Sequence, residues 1–182
     1  MAYIGAGYKV DNFKIFTVAI DYFMRHVISI LVENKAGVLA RITCLISGRG
    51  FNIDSLAVGE TENPALSRIT LVVKGDDAIV EQVKKQIGKI IDVIKVIDFT
   101  DEAFVERDLM LLKVNCPVGK RGEIIEIVDI FRGKIIDVGL KDLVIELAGT
   151  EDKLEAMTNL LRPYGIKELV QTGSVAIARG TK

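Results

Sequence analysis

One stretch of this chain is written twice. Residues 71–87, LVVKGDDAIVEQVKKQI, lie over residues 145–161, IELAGTEDKLEAMTNLL, with Gly75 and Gly149 in register; Val80, Val83 and Ile87 then fall on Leu154, Met157 and Leu161. Each copy is an apolar run, a glycine, an acidic pair and a segment whose apolar residues recur at helical spacing. Such a repeat argues against a single doubly wound domain, because neither copy supplies the strand-helix alternation that a parallel sheet needs. At 182 residues the chain has room for two units of ordinary size.

The pattern around the repeat fills in both units. HVISILVE (26–33) reads as a strand with Ile28, Ile30 and Val32 on one face. The segment after it turns helical, with Val38, Ile42, Leu45 and Ile46 as its stripe and Gly48 and Gly50 as its end. FNIDSLAVGET (51–61) and SRITLVVK (67–74) form a hairpin about the turn TENPA. Asp76 and Asp77 start a second helix with Ile79, Val80, Val83 and Ile87 inward, and IDVIKVIDF (91–99) is a fourth strand. After the charged stretch TDEAFVERD the order returns: a strand at 109–116, a helix at 122–133, a strand pair at 134–140 and 142–149, a helix at 150–161 and a last strand at 167–180. The expected fold class is therefore α+β, with two tandem ferredoxin-like βαββαβ domains. The expected organisation is an N-terminal extension at 1–23, a first domain at 24–99, a linker at 100–108 and a second domain at 109–182.

A βαββαβ unit puts both helices on one sheet face. Here Val27, Leu31 and Val72 make the other face apolar too, so a second cover is required, and pairing of sheets or edges between subunits in at least a homodimer is its expected source.

Composition closes several functional classes. Lys plus Arg (24) nearly balances Asp plus Glu (25), so no basic stripe calls for nucleic acid and no excess charge calls for a membrane surface. The apolar run Ile15–Ile20 in the extension is too short to span a bilayer and lacks the flanks of a signal peptide. With one His in the chain and no metal-type spacing between Cys44 and Cys116, no Cys/His metal site can be assembled; both cysteines read as reduced core thiols of a cytoplasmic protein. His26 begins a strand with no evident Ser, Cys or carboxylate partner for catalysis, and VGKRGE (118–123) lacks the spacing and the Lys-Ser/Thr pair of a phosphate loop. No constellation of acid, base and nucleophile emerges, which disfavours an enzyme of this fold.

The segment ENKAGVLARITCLISGRGFNID (33–54) is poor in reactive groups and rich in binding ones. Gly37 stands where a helix begins, so unpaired backbone N–H groups and the positive end of the helix dipole can hold a carboxylate, and a missing Cβ permits close approach. Asn34 offers a donor and an acceptor, and Asn52 and Ile53 offer a second amide and an apolar wall. An amino acid needs this combination. The same residues also describe an ordinary loop, in which Asn34 makes a turn and Gly37 admits tight geometry, and spacing by itself favours that description.

The segment resembles a known family. ENKAGVLARI with RGFNIDSL close behind, the SRIT strand, IIDVIKVID, and in the second half VERDLMLLKV followed by FRGKIIDV resemble the ACT-domain small regulatory subunits of acetolactate synthase (acetohydroxyacid synthase). The resemblance runs from Met24 almost to the end. It implies an N-terminal ACT domain and a C-terminal ACT-like domain. Valine is the implied effector, held at a homodimer interface by Asn34, Gly37, Val38 and Leu39 together with Asn52 and Ile53 of the other subunit. It further implies a large catalytic subunit as partner, which carries thiamine diphosphate, Mg²⁺ and FAD and condenses two pyruvates, or pyruvate with 2-ketobutyrate. No cofactor is implied for this chain, which is expected to be non-catalytic. A free-standing amino-acid sensor of the same fold, acting on another enzyme, is the alternative.

Overall fold

The computed structural model describes residues 24–50, 52–100 and 102–180, apart from the side chains of Ile79 and Val118. The front extension at 1–23 and the inward Ile79 lie outside the described residues. The first unit runs β1 (Met24–Glu33), α1 (Val38–Ser47), β2 (Ile53–Glu60), β3 (Leu66–Gly75), α2 (Asp77–Ile87) and β4 (Val93–Asp98). The second runs β5 (Phe104–Asn115), α3 (Arg121–Ile130), β6 (Lys134–Val138), β7 (Asp142–Gly149), α4 (Glu151–Leu161) and β8 (Ile166–Gln171), followed by β9 (Val175–Ala178). The fold class is the expected α+β pair of βαββαβ units.

The sheets have matching orders, β2-β3-β1-β4 and β6-β7-β5-β8, with antiparallel neighbours throughout. The repeated glycines close equivalent strands: Gly75 pairs with Met24, and Gly149 with Asp108. From there the helices lay their stripes inward, Val80, Val83 and Ile87 into one core and Leu154, Met157 and Leu161 into the other. Each such side chain, fully buried, contributes about 1.5–3 kcal/mol.

The other face of the first sheet holds the main surprise. Val27, Val72 and the polar Ser29 and Thr70 are buried there, and the cover comes from the same chain. The expected last strand, 167–180, is two strands: β8 stays on the second sheet, while β9 leaves it after Gly173 and pairs with Phe104–Arg107 of β5. Ala176 of β9, with Phe99 and the half-buried Phe104, packs on Val27 and Val72, and the two phenylalanine rings stack at 5.1 Å between centroids. Half of the charged stretch at 100–108 is thus strand, because Phe104 and Val105 are needed as part of this cover. A partner subunit is not required for it. Ion pairs cross the same boundary, Arg25 reaching Glu106 at 3.0 Å and Glu151 at 3.1 Å.

Cys116 is buried as expected, but Cys44 is exposed. Ile42 and Ile46 point α1 into the core, and a residue two positions from each lies about 200° around the helix, on the solvent side. His26 is a buried structural contact, with Nδ1 2.9 Å from Thr100 Oγ1 and Nε2 3.0 Å from Asp77 Oδ1. Burial opposes the charged form of neighbouring Asp98, yet hydrogen bonds from Lys84 and Thr100 outweigh it and hold the carboxyl below its usual range.

The intramolecular cover has a direct test. Phe99→Ala is expected to lower unfolding free energy by about 3 kcal/mol or more, as for large aromatic truncations in a packed core. Urea denaturation measures it, and a loss below ~1 kcal/mol would mean that the face is not packed as described.

Candidate effector site

Gly37 caps α1 with φ 85° and ψ −9°, a left-handed conformation that side chains with a Cβ rarely adopt. Among the described residues, no atom beyond its chain neighbours lies within 4 Å of a Cβ placed at this position, so the glycine serves the backbone turn and leaves open space above it. The helix start is uncapped: among the described residues no side chain bonds its first turn, and no acidic residue stands there. By contrast, α2 has Asp76 accepting from Ala78 N–H at 2.7 Å and Asp77 in its first turn. At the start of α1 the Val38 N–H reaches Lys35 O at 3.4 Å, while the Leu39 and Ala40 N–H groups have no partner among the described residues and are available to an anion, with the helix dipole behind them.

Asn34 stands beside this start and is held by the β2-β3 hairpin. Its backbone N–H donates to Ala65 O at 2.7 Å, and its Nδ2 donates to Glu60 Oε1 and to Pro64 O, both at 3.0 Å. Both amide hydrogens are therefore used, which corrects the expectation that Asn34 brings a donor as well as an acceptor; its Oδ1 is the group left to accept from an ammonium. The hairpin turn is itself braced, with Ala65 N–H donating to Asn63 Oδ1 and Thr61 N–H to Leu66 O, each at 3.0 Å. Glu60 went unread in the sequence, although the Asn-Pro of TENPA marked the turn that delivers it. Lys35 pairs with Glu33, and that hydrogen bond holds its ammonium pKa above the usual value. Val38 is buried in the core, and Leu39 is exposed beside the helix start.

Asn52 and Ile53 lie elsewhere. Ile53 pairs with Val73, which pairs with His26 at the opening of β1, whereas Asn34 follows the last residue of β1. From position 26 to position 34 is eight residues, about 26 Å of strand at roughly 3.3 Å each. Asn52 is exposed and donates to Asp54 Oδ1 at 3.2 Å, and Ile53 packs partly against the first core. One chain thus brings Asn34, Gly37, Val38 and Leu39 together at one end of the sheet and sets Asn52 and Ile53 at the other. Among the described residues no group of three or more His, Cys, Asp and Glu is arranged to hold a metal ion, and no helix is long and apolar enough to cross a membrane.

Residues 28–95 match the ACT domain of acetohydroxyacid synthase small subunits, and residues 107–180 match the small subunit of acetolactate synthase. This chain belongs to the acetolactate synthase small-subunit family. A probable acetolactate synthase small subunit of Archaeoglobus fulgidus is 55% identical over 159 residues, 87% of this chain and 99% of the relative. The acetolactate synthase small subunit of Mycolicibacterium smegmatis is 49% identical over 86% of this chain and 92% of its own length. The crystal structure of the acetolactate synthase small subunit from Thermotoga maritima superposes with a TM-score of 0.80 at 43% identity, over 87% of this chain and 99% of that one. Members of the small-subunit family are the non-catalytic partners in the synthase.

The conformation of Gly37 gives a stability test independent of any ligand. Gly37→Ala is expected to lose about 1–2 kcal/mol to the left-handed backbone, and Gly37→Asn distinctly less, because Asn tolerates that region. Chemical denaturation of the two variants measures the order; equal stability of Gly37→Ala and the parent would contradict the assigned turn.

Proposed function

We propose that this chain is the regulatory subunit of a cytoplasmic acetolactate synthase, and that it binds valine at a site shared by two copies, activating and feedback-inhibiting the catalytic subunit. The observation that carries the reading is the division of the binding groups. An uncapped helix start with Gly37 and the Asn34 carbonyl stands at one end of the sheet, and the second amide and apolar wall stand about 26 Å away at the other. Each end is half a site.

A two-fold pairing joins the halves. β2 is the outer strand of its sheet, with only β3 beside it among the described residues. Two copies of β2 running antiparallel about a centre near Leu56 set Asn52 of the partner subunit beside Glu60, the residue that accepts the Asn34 amide. The valine carboxylate then takes the α1 N–H groups, the ammonium takes the Asn34 carbonyl and the Glu60 carboxylate, and the side chain rests on Leu39 and Ile53. The reaction itself stays with the catalytic subunit, which holds thiamine diphosphate, Mg²⁺ and FAD; this chain holds none of them.

Calorimetry with valine, on the chain alone and after reconstitution with its catalytic subunit, tests the reading. Two symmetry-related sites per dimer are expected, together with inhibition of the reconstituted enzyme by valine. Gly37→Asp sets a carboxylate against that of the ligand and is expected to abolish binding and inhibition while activation persists. Absence of valine binding in both preparations, or full valine sensitivity of Gly37→Asp, would sink it.

A further inference from the structure

β2, which begins at Ile53 directly after Asn52, also bears a contact between the two domains that has no slack. The turn Thr172-Gly173-Ser174, between β8 and β9, lies against it. A Cβ added at Gly173 would stand 2.3 Å from the Leu56 carbonyl oxygen, 2.4 Å from the Leu56 carbonyl carbon and 2.9 Å from Ala57 N, all backbone atoms that cannot swing aside. One residue on, Ser174 is buried and its N–H donates to Ser55 Oγ at 2.8 Å. Ser55 stands opposite Val72, on the sheet face that β9 covers.

The same turn is clamped to the second domain. Thr172 N–H donates to Leu109 O at 2.9 Å, and Thr172 Oγ1 accepts from Leu109 N–H at 3.0 Å, on the central strand β5. From Ile53 to the joint at Ser55–Ala57 is two to four residues, roughly 7–13 Å along a strand. A joint with backbone on both sides cannot absorb a shift of β2 by changing a rotamer: the shift is passed on, or the contact is lost.

Resting on the effector reading above, we infer that the contact of Ser55, Leu56 and Ala57 with Gly173 and Ser174 is the coupling joint. Through it, occupancy at Asn52 and Ile53 reaches the second domain and thence the catalytic subunit. Ser55 and Gly173 are positioning residues that touch no ligand. Coupling between sites is a free energy carried by an element both sites bias, and β2 with its turn is such an element.

The test uses the full chain reconstituted with its catalytic subunit and two variants, Gly173→Ala and Ser55→Ala. Calorimetry is expected to give valine affinities within about twofold of the parent, with activity in the absence of valine retained. The fraction of activity removed by saturating valine is expected to fall at least twofold for Gly173→Ala, because occupancy is unchanged and only its effect on the catalytic subunit is lost. Ser55→Ala shifts it less, in the same direction, and decides the matter if Gly173→Ala does not fold. Variants that bind valine and are inhibited like the parent overturn the inference. So do variants that lose valine binding itself, since the turn then only holds the site together. A parent that binds no valine overturns the effector reading and takes this inference with it, whereas a fully inhibited variant of a valine-binding parent overturns the inference alone.

Discussion

The strand MRHVISILVE has no side that water tolerates. Ile28, Ile30 and Val32 face the helices, and Val27 and Ser29 are equally buried on the opposite face. A four-stranded sheet with two helices can satisfy only one of these demands, and the remaining one shapes the rest of the molecule. It draws the front of β5 and the whole of β9 back over the first sheet, and stacks Phe99 on Phe104. β9 thereby becomes a structural part of the first domain. The two copies of one unit are consequently not beads on a string: they share a layer.

That shared layer marks where the sequence could be read and where it could not. The glycine register of the repeat, the stripes Val80-Val83-Ile87 and Leu154-Met157-Leu161 and the hairpin about TENPA carried the architecture, because period and punctuation are local signals. The two-sided strands were also legible, as a need for a second cover. Its source was not, since apolar pattern says that a face must be covered without saying by what. Thr172-Gly173-Ser174 was the available clue that 167–180 breaks in two, but apolar residues on both sides of it, Val170 and Val175, read as one strand. Cys44 was misplaced for a simpler reason: it sits two positions from each core isoleucine, and only helix geometry reveals that this is the solvent side.

The candidate site shows the same division. A glycine at a helix start and two asparagines were visible as residue types suited to an amino acid, and the left-handed Gly37 and the uncapped α1 agree with that reading. What pattern could not supply was the commitment of the Asn34 amide to Glu60 and Pro64, which leaves an acceptor only, or the separation of Asn34 from Asn52 by the length of the sheet. Those follow from strand register. In the proposed function they make the site one that a single chain cannot complete, so ligand binding there depends on subunit pairing. Such a site suits a ligand that is to be sensed and released unchanged: it offers fixed dipoles and an apolar wall, and places no acid or base at a reacting bond.

In the proposed function the two half-sites belong to different chains, and subunit complementation tests this. Asn34→Ala and Asn52→Ala each damage both sites of a homodimer, but a mixed dimer of the two holds one doubly damaged site and one intact site. Each variant alone is expected to lose valine binding, and co-expressed, mixed dimers are expected to regain it at one site per dimer. Mixed dimers that bind no better than the separate variants would place Asn34 and Asn52 outside a shared site.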